Sequence, residues 1–313
     1  MRQDPGDTLK NFHRGDRRER REKNTSGNHF KKINALCHFV FRFLTLSHLC
    51  GLRDLCGEIG KKMKVVFHER YYETYASDPA AAEGRMEAII KVLGRNFEFL
   101  SPKSASEKDL ALVHTLDQIE RIKRSRHTYE VALLAAGGAI MASQIAWKGE
   151  PAFGLIRPPG HHASPDSCWG FCFFNNIAIA VNKLIKEKKV KKALILDFDL
   201  HFGDGTENAF QGTPEVNYFS PPGAYGQEYV DGIEKYLERT SGYDILAVSA
   251  GFDRHVDDWG GFLGTEDYGR IGILVKKYSE KVCQGRRFGV LEGGYNHDVL
   301  GKNVRAFLEG MKE

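Results

Sequence analysis

The chain has 313 residues, of which 42% are hydrophobic and 27% are charged, proportions typical of a globular protein rather than a disordered, collagen-like or disulfide-stapled one. Six cysteines without a CxxC pair indicate reduced thiols and predict a cytoplasmic location. The first 62 residues hold 14 Lys and Arg against 7 Asp and Glu, which leaves 31 against 34 for the rest. Because the rest is nearly neutral, it is not expected to bind nucleic acid.

The N-terminal region differs in character from the remainder. Residues 1–32 are polar and basic, and we expect them to be disordered. Residues 33–52 are apolar, but Arg42 and two histidines interrupt them, so they lack the ~20 uncharged residues of a membrane span. We therefore expect no membrane partner. Met63 is a plausible true start, so residues 1–62 are interpreted either as an extension from an upstream start codon or as a targeting arm.

Residues 63–313 alternate short β-rich runs with longer helical patterns, beginning with a strand-like run at residues 65–68. Near-continuous apolar runs of the kind that buried parallel strands require lie at residues 152–156, 193–197, 245–249 and 288–291. Helix-length segments lie at residues 129–147, 175–188, 266–283 and 298–311. This alternation predicts a single α/β domain with one doubly wound, mainly parallel sheet flanked by helices.

Polar residues follow each of the four apolar runs. Ligands bind at the carboxyl ends of the strands in an open parallel sheet, so these are the positions where a site is expected. An isolated Asp or His there is more often a helix cap or a surface ion pair. Four clusters at four strand ends favour a functional site instead; they lie at residues 157–162, 197–205, 250–253 and 292–296.

A metal site is predicted within these clusters. Asp199 and His201 are two residues apart in an extended segment, so their side chains point to the same side and can bind one cation. Asp253 is the candidate third ligand. Two carboxylates and one imidazole with open positions are typical of a catalytic metal site, and they suit Zn²⁺ or Fe²⁺.

The clusters, taken together, resemble the histone deacetylase family, which includes the bacterial and archaeal acetylpolyamine amidohydrolases. The resemblance extends from Met63 to the C-terminus and implies an arginase/deacetylase-like fold. It rests on five motifs in this order: RPPGHH at 157–162, GFCFFN at 170–175, DFDLHFGDGT at 197–206, SAGFD at 249–253 and EGGYN at 292–296.

The resemblance implies roles for two adjacent histidines beside the metal. His162 would be the general base toward a metal-activated water and then the acid toward the leaving amine. His161 would act as an electrostatic partner. Asp197 and Asp204 match the carboxylates that orient His161 and His162, respectively.

The resemblance also implies an oxyanion donor and a substrate channel. Tyr295 would donate its hydroxyl to the oxyanion of the tetrahedral intermediate, with Gly293 and Gly294 allowing the turn that positions the phenol. Gly170 and Phe171 match the channel wall that holds the aliphatic stem of the substrate. A core phenylalanine is the alternative interpretation of Phe171.

Structural potassium is a weaker implication of the resemblance. Family members bind monovalent cations through backbone and side-chain oxygen atoms, which the sequence specifies poorly. The matching positions are Phe210, Thr213, Val216 and Ser220, together with Asp197, Asp199 and His201.

We interpret residues 63–313 as a zinc-dependent deacetylase that removes an acyl group from a lysine side chain or a small polyamine. Short segments at residues 123–129 and 220–227 predict a wide mouth that favours small acylated amines over histone-sequence peptides. Asp257 and Asp258 either attract a cationic substrate or form a solvated acidic turn. Phe202 replaces a second histidine that many relatives carry, and we expect changed packing there rather than lost catalysis.

Two other interpretations remain open. One is a ureohydrolase with two manganese ions, although that class uses Asp-x-His-x-Asp motifs whereas this chain has Asp-x-Asp-x-His. The other is a non-catalytic module that binds acylated amines, which would not require the histidine pair or Tyr295. The sequence does not indicate an oligomeric state.

Overall fold

The computed structural model describes residues 63–223 and 225–312. The expectations for residues 1–62, namely disorder, the alternative start and the absence of a membrane span, lie outside the described residues.

The described residues form one seven-stranded sheet in which every neighbouring pair is parallel. The strand order is β2-β1-β3-β7-β6-β4-β5. This arrangement confirms the predicted α/β class and the single sheet. The strands are β1 (Lys64–Val66), β2 (Glu98–Leu100), β3 (Ala152–Gly154), β4 (Ala193–Asp197), β5 (Val216–Phe219), β6 (Ile245–Ala250) and β7 (Arg287–Leu291).

Nine α-helices occur within residues 63–223 and 225–312. Helix α4 packs on β1, β3 and β7 and against α5, whereas α8 packs on β6 and against α7 and α9. The helices are α1 (Arg85–Leu93), α2 (Glu107–Leu110), α3 (Leu116–Lys123), α4 (Arg126–Trp147), α5 (Asn176–Lys186), α6 (Asp204–Phe210), α7 (Gly226–Arg239), α8 (Thr265–Cys283) and α9 (His297–Lys312).

Burial explains which strands the sequence pattern predicts. All residues of β3, β4, β6 and β7 are buried, so these strands need the continuous apolar runs that identify them. Strands β2 and β5 lie at the two edges of the sheet and are largely exposed or half-buried. Their composition is correspondingly mixed, and the apolar pattern does not predict them.

Helix α4 is long and apolar enough to cross a membrane by length and composition, and it is the one such helix in the described part of the chain. Two thirds of its most apolar window (67%) is buried inside the protein. Its apolar residues therefore match those of a core helix that lies on the sheet.

The parallel arrangement brings the four polar clusters to one edge of the sheet. Strands β3, β7, β6 and β4 are adjacent in the order given above, and the cluster residues follow their carboxyl ends. The register aligns these ends, since Asp197 on β4 is opposite Ser249 on β6, which is opposite Val290 on β7. The fold thus places the predicted site residues around a common point.

Candidate active site

The three predicted metal ligands lie together at the carboxyl edge of β4 and β6. His201 Nδ1 is 3.3 Å from Asp199 Oδ1 and 3.1 Å from Asp253 Oδ2. One ligand atom from each residue lies within 4.8 Å of the other two. Both carboxylates are buried, and the contact between Asp253 Oδ2 and His201 Nδ1 does not have hydrogen-bond geometry, which leaves this oxygen without a hydrogen-bond donor. A buried carboxylate oxygen without a partner is unfavourable alone, and a divalent cation at this position would satisfy it.

Backbone amides hold the outer oxygen atoms of these carboxylates. Gly293 donates its N–H to Asp199 Oδ2 at 2.8 Å, and Leu200 donates to Asp253 Oδ1 at 3.0 Å. A Cβ atom at Gly293 would lie 2.6 Å from Asp199 Oδ2 and 2.8 Å from Asp253 Oδ2. Only glycine allows this close approach, so Gly293 supports the candidate ligands directly; its predicted contact with substrate stays a prediction.

The protonation of the three residues reflects their mutual charges. The hydrogen bond to Asp199 and the close carboxylate of Asp253 raise the pKa of His201 to about 10. Burial, reinforced by the charge of Asp199, raises the pKa of Asp253. Both shifts arise from the crowding of negative charge at this point, which a bound cation would offset.

Two histidine–aspartate pairs lie beside the candidate ligands. His161 Nδ1 is 3.1 Å from Asp197 Oδ2, and His162 Nδ1 is 2.7 Å from Asp204 Oδ1. The two imidazole centroids are 4.1 Å apart, and His161 Nε2 lies 3.7 Å from Asp199 Oδ1. The predicted pairing of each histidine with its aspartate is therefore present.

The environment moves the pKa values of the two histidines in opposite directions. Burial would lower the pKa of His161, but the charges of Asp199 and Asp197 outweigh it and raise the pKa well above the usual range. Burial and the neighbouring charge of His161 lower the pKa of His162, against the opposing effect of Asp204. One ring is thus suited to carry a positive charge and the other to accept a proton near neutral pH.

Tyr295 follows β7 and the Gly293–Gly294 turn, as predicted. Gly294 has a φ of 114°, in the region that favours glycine. The Tyr295 ring stacks on Trp259 at 4.1 Å and contacts the edge of Phe171 at 5.9 Å. Burial, with the charges of Asp199 and Asp253, raises the pKa of Tyr295, so its hydroxyl stays protonated and able to donate.

The acidic turn has a structural function at one of its two aspartates. Asp258 Oδ2 accepts the backbone N–H groups of Tyr295 and Asn296, each at 2.8 Å. Its carboxylate therefore anchors the loop that carries Tyr295. Asp257 is largely exposed, so only Asp257 keeps the predicted alternatives of attracting a cation or being solvated.

The predicted channel residues form a turn against His162. Gly170 and Phe171 both have positive φ values, 58° and 66°, and a Cβ atom at Gly170 would lie 2.4 Å from His162 Cδ2. Trp169, which the sequence pattern did not indicate, packs against His162 with ring centroids 3.9 Å apart and planes tilted by 32°, and it donates its indole N–H to Asp204 Oδ2 at 2.8 Å. Trp169 therefore contacts both members of the His162–Asp204 pair.

Two further residues were missed as individual functional candidates. Glu292 is fully buried, and its Oε2 accepts the N–H groups of Gly160 and His161 at 2.6 and 3.2 Å. Arg85 on α1 donates to the backbone carbonyls of Glu292 at 2.7 Å and Gly294 at 2.8 Å. Glu292 belongs to the EGGYN motif, whereas nothing in the sequence around Arg85 indicated that Arg85 lies near the site.

A second group of possible ligands, His161, Cys172 and Glu292, also lies close together. His161 and Glu292 are already hydrogen-bonded as described above. Cys172 Sγ is 3.4 Å from the His162 amide that donates to it, and burial raises the pKa of its thiol well above the usual value. This group is accordingly a hydrogen-bonded network beneath the histidines rather than a second metal site.

Comparison with known proteins identifies the family of this chain. The model of the histone deacetylase domain matches residues 80–229 and 221–311. The chain belongs to the histone deacetylase family. Family membership places it among hydrolases of the deacetylase and amidohydrolase type.

Relatives with curated names come from several kingdoms. A "Probable deacetylase" from Archaeoglobus fulgidus is 32% identical over 297 residues, with 74% of this chain and 81% of the relative covered. "Histone deacetylase 5" from Arabidopsis thaliana is 31% identical, with 68% of this chain but only 42% of the relative covered. A "Histone deacetylase-like amidohydrolase" from Pseudomonas aeruginosa is 28% identical, with coverages of 82% and 81%.

The fold has a counterpart among solved structures. The HDA15 HD domain superposes with a TM-score of 0.72 at 22% identity, covering 80% of this chain and 90% of that domain. The likeness confirms the arginase/deacetylase-like sheet.

The effect of burial on the protonation of Glu292 can be tested. Burial raises the pKa of Glu292 from 4.5 to about 7, so from about pH 4.5 to 7 the folded protein holds a proton that the unfolded chain has lost. The free energy of unfolding must fall as pH rises through this window, by up to about 3 kcal/mol. Glu292→Gln can keep the hydrogen bonds while removing the titration. Urea unfolding of the metal-free protein should show a smaller pH dependence in Glu292→Gln than in the wild type.

The exposed Glu238→Gln is the matched control and should leave the pH dependence unchanged. Equal pH profiles for Glu292→Gln and the wild type would show that Glu292 does not retain this proton in the folded protein.

Proposed function

We propose that the protein is a zinc-dependent deacetylase that hydrolyses the amide of an acylated lysine side chain or a small acylated polyamine. The observation that carries the proposal is the position of the two histidine–aspartate pairs beside three converging metal ligands. A metal site alone would suit many proteins. Two oriented imidazoles with opposite pKa shifts suit general acid–base catalysis of amide hydrolysis.

Asp199, His201 and Asp253 would hold the metal. Zinc suits a site with one imidazole and two carboxylates, and Fe²⁺ is the alternative that the same donor set admits. When bound, the ion would lower the pKa of a water molecule and polarise the substrate carbonyl. Three protein ligands leave coordination positions for that water and carbonyl.

The two histidines would have different roles. Neutral His162 accepts the proton of the attacking water, and the Asp204 carboxylate stabilises the imidazolium that forms. The same imidazolium then donates its proton to the departing amine. Charged His161 stabilises the negative charge that develops on the substrate.

Tyr295 would donate its hydroxyl to the substrate oxygen as negative charge develops there. The stack on Trp259 and the anchoring of its backbone by Asp258 fix the phenol in place, so little freedom is lost during the reaction. The raised pKa of Tyr295 keeps the proton available throughout the neutral range.

Aromatic side chains supply a channel for the stem of the substrate. Phe171 lies 6.4 Å from Trp259, edge to face, and Trp169 and Trp259 are both about half exposed. The connection between α3 and α4 is short, because α3 ends at Lys123 and α4 begins at Arg126. Such an open, aromatic mouth favours a small apolar stem over an extended peptide. The proposal includes a cytoplasmic location for the protein.

The two other interpretations have less support. The ureohydrolase alternative needs ligands for two manganese ions, and within the described ranges the second ligand group is the hydrogen-bonded network of His161, Cys172 and Glu292. The family match also favours a deacetylase over a ureohydrolase. A binding module would not need both histidines oriented by aspartates or a fixed tyrosine hydroxyl.

Asp253→Ala tests the metal ligands. The substitution removes one of three ligands while leaving the sheet intact, so most bound zinc should be lost and the folded state retained. Metal analysis and circular dichroism of the purified protein measure these two properties. Asp257→Ala removes an exposed carboxylate in the same segment and should keep its zinc. Stoichiometric zinc in Asp253→Ala would make the ligand assignment wrong.

Tyr295→Phe tests the oxyanion donor. Loss of one such donor typically costs ~2.7 to 4 kcal/mol, so kcat should fall roughly a hundred- to thousand-fold. KM should change less, because the hydroxyl contributes most in the transition state. The ring stack on Trp259 remains, so zinc content and melting temperature should not change. Undiminished turnover would reduce Tyr295 to a packing residue.

A substrate panel tests the chemical class. Initial rates should be compared for acetylated polyamines, generic acyl-lysine compounds and acetylated histone peptides with the zinc-loaded protein. We expect the small acylated amines to have the higher kcat/KM, because the open mouth offers little surface to a peptide. A strong preference among histone sequences would contradict this expectation.

A further inference from the structure

Several atoms at the positions expected to bind structural potassium already have hydrogen-bond partners within the protein. The Tyr218 hydroxyl donates to Asp197 Oδ2 at 2.9 Å, accepts the Gly203 amide at 3.0 Å and hydrogen-bonds the Ser220 hydroxyl. Asp197 Oδ1 accepts the amide of Asp199 at 3.1 Å. The Asp197 carboxylate and the Ser220 hydroxyl therefore both have hydrogen-bond partners in the absence of an ion.

The neighbouring turn is also closed by its own hydrogen bonds. The Phe210 carbonyl accepts the Thr213 amide at 2.9 Å, and the Thr213 carbonyl accepts the Val216 amide at 3.2 Å. These contacts use backbone oxygen atoms at two of the positions that the resemblance assigns to structural potassium. Together with the contacts of Asp197 and Ser220, they occupy lone pairs that the expected ions would need.

A side-chain cation lies on the backbone of the candidate metal-binding segment. Arg254 Nε is 3.1 Å from the carbonyl oxygen of Asp199 and 3.3 Å from that of Phe198, and its Nη2 is 3.3 Å from that of Leu200. Arg254 is 4% exposed. Three successive carbonyls thus converge on one positive charge, and that of Asp199 belongs to a position expected to bind potassium.

The surroundings of Arg254 suit a permanent cation. Its Cζ lies 4.5 Å from the centre of the Tyr229 ring, which gives a buried cation–π contact. Two buried carboxylates, Asp199 and Asp253, lie in the segments that it joins, so its charge offsets theirs. A potassium ion on the Asp199 carbonyl would lie close to the guanidinium, and the two positive charges would repel each other in this buried setting.

Asp253 and Arg254 connect the segments after β4 and β6, which provide the candidate ligands. Asp253 Oδ1 accepts the Leu200 amide at 3.0 Å, and Arg254 binds the carbonyls on the same stretch, residues 198–200. The segment after β6 thus binds both the N–H groups and the carbonyl groups of the segment after β4. We propose that the guanidinium of Arg254 is a built-in cation that takes the place of structural potassium and holds the metal-binding segments without a monovalent ion.

The wild-type protein provides the first test. The melting temperature of the full-length, zinc-loaded protein is measured while sodium chloride is replaced by potassium chloride or choline chloride at constant ionic strength. We expect the three melting temperatures to agree within about 1 °C, because no ion binds the folded state preferentially. Potassium content after dialysis into sodium buffer should be negligible. A saturable rise in melting temperature with potassium, or one retained equivalent of potassium, would overturn the proposal.

Arg254→Met provides the second test. It removes the charge and leaves three carbonyls without their donor, so potassium should now raise the melting temperature, and sodium should do so less. Zinc affinity should fall by about 10- to 100-fold in sodium buffer, as for other residues that support metal ligands, and recover partly in potassium. Arg254→Lys, the matched control, keeps the positive charge and should remain insensitive to potassium.

A variant that melts equally low in sodium and potassium would show that Arg254 is only a packing residue, and it would contradict the proposal. If Arg254→Met does not fold, the melting curves and the potassium content of the wild type still test the proposal. These measurements do not use turnover. An inactive protein with potassium-independent stability would refute only the deacetylase proposal, and an active one with potassium-dependent stability would refute only this inference.

Discussion

The structure depends on burying four carboxylates at one edge of a parallel sheet. Removing charged groups from water is unfavourable unless partners compensate for it, and like charges in contact add repulsion. The compensation comes from backbone amides, from the imidazolium of His161 and from the guanidinium of Arg254, with a place left for a divalent cation. The carboxylates, each at most 1% exposed, are Asp197, Asp199, Asp253 and Glu292.

The same burial gives the site its chemical properties. His161 and His162 differ in protonation because one lies closest to the buried negative charges and the other feels the positive charge of the first. In water these effects would be screened and the two rings would titrate nearly alike. Burial also keeps the hydroxyl of Tyr295 protonated. Burial of these charges is unfavourable for folding, but it sets the protonation states that proton transfer needs.

The central half of the sheet was predictable, whereas its edges were not. Strands β3, β4, β6 and β7 are covered on both faces, and only apolar residues fit there, so their sequences identify them. Strand β2 is mostly exposed and β5 is partly exposed, so they tolerate polar residues. Asp258 illustrates the same limit within the site, because its partners are the amides of Tyr295 and Asn296, which have no residue-specific signature.

The sequence by itself determined the fold class, the family resemblance and the candidate ligands, because strand-end positions and the two-residue spacing of Asp199 and His201 follow from local geometry. Only the tertiary structure decided what supports these residues. Arg85 bonds carbonyls more than 200 positions away, and Arg254 bonds carbonyls more than 50 positions away. Every residue type presents the same backbone carbonyl, so such partners become known only when the chain is folded and the distances are fixed.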